Sequence, residues 1–142
     1  MTILLSHNKT EKVMTTLRNV LMINAISSGL TGLILVIAPG FVANLFATYF
    51  TQPFVLVGMF LVAFAILVFA AALQNPLRES MISLILVLDS SWVIASLVVI
   101  ILQLLNISAL GYGFIAGVAA WVLLMVYFQF NGLRQISSSE RK

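Results

Sequence analysis

The chain has 142 residues, 62% hydrophobic and 8% charged, with a mean hydropathy of +1.16; soluble domains carry about a quarter charged residues, so a water-soluble fold is excluded. Lipid tolerates such a composition, and at roughly 20 apolar residues per spanning helix the length admits four spans and no separate soluble domain. The seven basic residues behind the net charge of +3 sit at helix ends rather than on one solvated face, which speaks against a nucleic-acid partner.

Residues 1–18, MTILLSHNKTEKVMTTLR, are mixed in polarity, with Val13, Met14, Leu17, Val20 and Leu21 at helical spacing. They form a short arm leading into the first span, residues 19–38. The apolar run from Val20 to Ala38 is longer than the core of a cleavable signal, about 7 to 15 residues, and is expected to remain as an anchor. Pro39-Gly40 stops it.

Residues 41–52 put Phe41, Val42, Leu45, Phe46, Tyr49 and Phe50 on one helical face, with Ala43, Asn44, Ala47, Thr48, Thr51 and Gln52 on the other. An uncharged, aromatic, amphipathic helix of this kind suits the membrane interface. The second span, residues 53–73, has no polar side chain and is expected to be the most lipid-exposed; Gln74-Asn75-Pro76 ends it. The third span starts at Arg78-Glu79 and covers residues 79–105. The fourth covers residues 111–131 and closes at Gly132, leaving a polar tail, residues 133–142, whose Ser137, Ser138 and Ser139 are expected to be disordered. The fold class is therefore all-α: a polytopic four-helix membrane bundle, residues 19–132, with a short interfacial helix between its first two spans.

Lys9, Lys12, Arg18, Arg78, Arg134, Arg141 and Lys142 all fall on one side of this layout, and the loops after the first and third spans carry no Lys or Arg. By the positive-inside rule both termini and the middle loop are cytoplasmic, as in a multi-pass protein of the bacterial inner membrane.

One residue stands out chemically. Asp89 lies ten residues past Glu79, about 15 Å deep at 1.5 Å per residue, near the centre of a core about 30 Å thick. Placing a charged acid there costs roughly 2.5–3.5 kcal/mol. Protonating it at neutral pH costs about 4 kcal/mol. The two penalties are similar, so neither state is excluded. Such an acid is either a proton, cation or ligand site, or a hydrogen-bonded strut between helices.

Ser96 and Gln103 follow Asp89 at seven-residue intervals, and Trp92 lies three residues on, giving the third span a polar stripe. In the first span Asn24, Ser28 and Thr31 form a second stripe beside Ala25, Gly29 and Gly32, small residues that let helices pack closely. With Ser28 at about the depth of Asp89, the two stripes are expected to share a seam. The candidate ligand or proton site is therefore Asp89 with Ser28, Asn24, Thr31, Trp92 and Ser96. Trp92 and Trp121 each need an acceptor for the indole N–H, Asp89 being one candidate, or are large fillers of the interior. Gly113-x-x-x-Gly117 is taken as a packing motif, within the bundle or between copies, and Tyr127 and Gln129 as interfacial.

No catalytic set is legible: no paired acids, no intramembrane histidine and no phosphate-binding glycine loop. With no cysteine and a single histidine, His7 in the arm, neither a metal nor a haem cofactor is expected.

From Arg18 through NAISSGLTGLILVIAPGFVANLF, a polar, glycine-bearing first helix ended by proline resembles the start of the small bacterial four-helix membrane proteins of the DoxX-like type. The resemblance covers that helix and the four-span layout. It implies a small membrane protein that in some members is an accessory subunit of a quinone-linked oxidoreductase; that the chain is not expected to be an enzyme rests on the missing catalytic set. The lysine expected near the end of the first helix of that family has no counterpart here, so no functional residue is carried over. In size and in having one membrane acid the chain is also similar to small multidrug resistance transporters, but those carry the acid in their first helix, and their dual topology needs a weaker charge bias than seven to none. Expected partners are the bilayer and a lipophilic small molecule, a membrane-protein partner or a second copy of the chain; the alternative is a proton-coupled transporter working as an oligomer.

Overall fold

The computed structural model describes residues 1–141, which form five helices and no strand: α1 (Thr2–Ile37), α2 (Pro39–Leu45), α3 (Gln52–Ala72), α4 (Glu79–Ile101) and α5 (Ala109–Glu140). α1, α3, α4 and α5 are long and apolar enough to cross a membrane, so the chain is an all-α polytopic membrane protein. The 21 residues of α3 span about 31 Å, the thickness of a hydrocarbon core. Successive spans alternate in direction, so both termini and the α3–α4 connection share one end, the terminal side, and α2 lies at the far side. Every described Lys and Arg is on the terminal side; Lys142 lies outside the described residues.

Around the bundle the order is α3, α1, α5, α4, with α1 against α3 the most extensive interface and α3 against α4 a slight one. α1 crosses α3 where two glycines face each other: a Cβ on Gly32 would stand 2.8 Å from the backbone oxygen of Gly58, and one on Gly58 2.8 Å from that of Gly32. Only glycine allows this approach, and in lipid such packing is what holds helices together. On the terminal side Leu17, Leu21, Phe64, Val68, Ala71, Ile82, Ile85 and Ile136 close the bundle into a hydrophobic core. The Arg18 guanidinium donates to Ala72 O and Gln74 O, both at 2.9 Å, satisfying carbonyls that the end of α3 leaves free.

Several boundaries differ from the expectation. The arm is not separate from the first span, since α1 runs unbroken from Thr2. The fourth span does not stop at Gly132 either. α5 continues to Glu140, with Ile136 buried and Ser137 Oγ donating to Glu79 Oε2 at 3.0 Å, so the described part of the tail, its three serines included, is helical. Gly132 is needed for closeness rather than for a turn: a Cβ there would meet Leu17 Cδ1 at 2.9 Å.

The third span ends at Ile101 rather than at residue 105. Gln103 takes φ 47°, its amide returns to Ile100 O, and that of Leu104 returns to Val99 O, a Schellman closure that usually recruits glycine. The interfacial helix is shorter than residues 41–52 for the same reason. Ala47, at φ 53°, ends it, with amides of Ala47 and Thr48 on Asn44 O and Ala43 O, and Tyr49 is left 99% exposed. Val42 and Ala43 are its buried residues. The second span is not the lipid wall expected: α3 has the largest buried share of the four spans, because its small residues Gly58, Ala65, Ala71 and Ala72 line the contact with its neighbours.

Candidate functional site

On the far side the helices splay. α1 and α3 stay together at the glycine crossing, α4 and α5 stay together, and the poorly packed α3–α4 seam leaves a cleft of about 580 Å³ between the two pairs. This lies within the 300–1,000 Å³ of typical small-molecule sites. Its walls are apolar and rich in rings: Phe60 and Phe64 from α3, Trp92 from α4, Phe114 and Trp121 from α5. Phe60 and Trp92 stack across the seam with centroids 6.3 Å apart and planes 11° from parallel. Gly113 and Gly117 also line the cleft, and beyond their own stretch of helix no atom lies within 4 Å of where their side chains would start. The motif therefore does not pack within the bundle; here it is the part of α5 that leaves room for the cleft.

Asp89 lines the cleft, 3% exposed. Its Oδ2 accepts from Asn24 Nδ2 at 2.7 Å and from Gln129 Nε2 at 3.1 Å, so α1, α4 and α5 meet at a single oxygen. Oδ1 takes no hydrogen bond from the described residues and is not among the sealed, unpartnered atoms; it is the oxygen available to a molecule in the cleft. Asn24 Oδ1 in turn accepts from Ser28 Oγ at 3.3 Å. No Lys, Arg, His or second acid lines the cleft. Two neutral amide donors on one carboxylate oxygen satisfy a group that would otherwise cost several kcal/mol in this setting.

The expected seam between the first and third spans exists, with three changes. Asn24, not Ser28, is level with Asp89, because α1 and α4 are offset by about one turn. Ser28 lines the cleft one turn further along, as does Thr31, whose hydroxyl is turned to its own helix at Ser27 O, 2.8 Å. Trp92 is a wall of the cleft and stacks on Phe60 rather than donating to Asp89; the other indole, Trp121, donates to Ser27 Oγ at 3.1 Å. Ser96 is buried two turns beyond Asp89 and outside the cleft, and Gln103 is outside the helix and exposed, so the polar stripe is limited to Asp89 and Ser96.

Gln129, read as interfacial, is fully buried and is the partner that sequence reasoning missed. A lone amide in an otherwise apolar run of α5, nine residues short of Ser138, is a detectable signal, since an unexposed amide in a span needs a partner. Its Oε1 remains without a donor.

Comparison of the chain with protein-family models, with curated proteins and with solved structures finds no match.

Proposed function

We propose that this protein binds a lipophilic small molecule in the cleft between its two helix pairs, anchoring a hydrogen-bond-donating group of that molecule on Asp89 Oδ1, and that it does no chemistry on it. The observation that carries the reading is the single free carboxylate oxygen in a largely apolar and aromatic cleft whose other polar lining is the hydroxyls of Ser27, Ser28 and Thr31. Specific small-molecule sites combine apolar walls with few polar groups. No nucleophile paired with a base lines this cleft among the described residues, so its side chains offer a shape and a polar anchor for a ligand. With Asp89 ionised, an anionic ligand would face repulsion that no cation lining the cleft offsets.

The reading includes a multi-pass location in the bacterial inner membrane with cytoplasmic termini, supported by the placement of all described basic residues on the terminal side. Because the chain has no cysteine, a single cysteine placed at Ser138 or at Tyr49 and tested with an impermeant thiol reagent on intact cells checks this directly: Tyr49→Cys should react and Ser138→Cys should not.

The binding test is native mass spectrometry of protein purified in a mild detergent. Wild type should retain a small molecule. Gly117→Leu, which extends a side chain into the cleft, should abolish retention, and Asp89→Asn should lower it. Absence of any retained molecule from wild type, or equal retention by Gly117→Leu, refutes the proposal. A pH-driven flux in liposomes that requires Asp89 would make the same cleft a transport site instead.

A further inference from the structure

A second concavity lies outside the cleft, on the terminal side between α1 and α5. It encloses about 410 Å³ and is lined by Lys9, Lys12, Thr16 and Val20 on α1 and by Phe128, Asn131 and Gln135 on α5, with Leu17 and Gly132 at the point of closest approach. Each set is one helical stripe, with spacings of three or four residues. Since α1 and α5 are antiparallel, the stripes match in level: Val20 faces the level of Phe128, Thr16 that of Asn131, and Lys12 that of Gln135.

Polarity along this groove follows a fixed order. The apolar end, Val20 and Phe128, lies within the span. Arg18, bonded to the last carbonyls of α3, marks where the span ends. Thr16 and Asn131 stand just past that level, and Lys12 and Lys9 follow about 9 Å and about 14 Å beyond Arg18 at 1.5 Å per residue. Hydrocarbon, then neutral hydrogen-bonding groups, then positive charge is the sequence of chemistry met by a phospholipid's acyl chain, glycerol esters and phosphate. No acid lines the groove. Glu11 instead turns to His7, 3.5 Å away, and no acid pairs with Lys9 or Lys12 among the described residues.

We propose that this groove binds one anionic phospholipid from the leaflet on the terminal side, its phosphate between Lys9 and Lys12, its ester region at Asn131, since the Thr16 hydroxyl donates to Lys12 O at 2.9 Å, and one acyl chain along Val20 and Phe128. Basic recesses between membrane helices hold anionic headgroups in this manner, and each lysine near an anionic surface contributes about a fivefold gain in binding. The site is independent of the cleft around Asp89, being on the opposite side of the hydrophobic core.

The test uses the full chain in mild detergent, titrated with dioleoyl phosphatidylglycerol in the presence of an excess of dioleoyl phosphatidylcholine, with retained lipid counted by native mass spectrometry. Wild type should hold one phosphatidylglycerol in preference to phosphatidylcholine. The pair Lys9→Gln with Lys12→Gln should lower its retention about 25-fold, whereas Arg78→Gln with Arg134→Gln, the same charge change on the same side but outside the groove, should leave it unchanged. Asn131→Leu keeps both lysines and should weaken retention several-fold. Equal retention of the two lipids, equal losses in the two charge pairs, or displacement of the lipid by millimolar inorganic phosphate would each overturn the proposal.

Discussion

Four glycines offer a matched test of how the helices are held. At the α1–α3 crossing a Cβ on Gly32 would stand 2.8 Å from Gly58 O and 3.0 Å from Leu61 Cβ, and one on Gly58 would stand 2.8 Å from both Gly32 O and Leu35 Cβ. Ordinary contact begins at 3.4 Å, so alanine at either position must move rigid backbone by about 0.6 Å. A gap of that size removes roughly a quarter to a half of the dispersion attraction at each facing pair. In lipid no hydrophobic effect between helices compensates, and overpacking of this kind costs about 1–3 kcal/mol. Against this, each glycine-to-alanine change in a helix gains about 0.5–1 kcal/mol. That gain applies equally to Gly113 and Gly117, where no neighbour lies within 4 Å. Gly113→Ala and Gly117→Ala should therefore be neutral or stabilising, and Gly32→Ala and Gly58→Ala should fall about 1–3 kcal/mol below them. Because the propensity gain is common to all four, the difference isolates the tertiary contact. Reversible unfolding by dodecyl sulfate from mixed micelles, followed by far-ultraviolet circular dichroism, measures it. Four midpoints equivalent to within about 0.5 kcal/mol would refute the assignment of the crossing.

Arg18→Gln removes two charge-assisted hydrogen bonds from the end of α3 and should cost about 1.5–3 kcal/mol in the same titration; an unchanged midpoint would show that water replaces the guanidinium freely. Gln129→Leu and Asp89→Leu, each of which removes one partner of the bond, made singly and together, should couple by about 0.6–1.7 kcal/mol, the range of interhelical hydrogen bonds in membranes. Additive effects would mean that the 3.1 Å contact contributes nothing. Phe60→Ala unstacks the ring that bridges α3 to Trp92 and should accelerate loss of the retained molecule on dilution without changing stability by more than about 1 kcal/mol, since the ring is half exposed. An unaltered dissociation rate would place the entry route elsewhere.

The arrangement has a division of labour along the membrane normal. On the terminal side long aliphatic side chains from α1, α3, α4 and α5 interdigitate and shut the bundle. On the far side small residues at the α1–α3 crossing let one pair close up, while the glycines of α5 put no side chain into the cleft between the pairs. Asp89 sits at the junction, with its donors coming from α1 and α5. The acid thus ties the two pairs together and at the same time offers its second oxygen to the cleft.

Composition and hydropathy alone determined that the chain is an all-α membrane protein with four spans, because the hydrophobic period and the length of each apolar run depend only on local sequence. The depth of Asp89 followed from the same count of residues, as did the gathering of basic residues at one side. Which residue meets Asp89 did not follow, since that depends on the axial offset and rotation of helices far apart in the chain: one turn of offset exchanges Ser28 for Asn24, and the rotation of α5 brings in Gln129. Tertiary structure also decided what each glycine does. Gly32, Gly58, Gly113, Gly117 and Gly132 are all helical, and a glycine has no side chain by which the sequence could say whether it is there to let a neighbour approach, as with Gly58 and Leu17, or to leave a cleft open. The same holds at residues 47 and 103, where Ala47 and Gln103 turn the chain with none of the usual glycine signal; the turns are imposed by backbone hydrogen bonding and by the docking of Ser108 onto Leu45 O and Phe46 O, contacts made across more than sixty residues of chain.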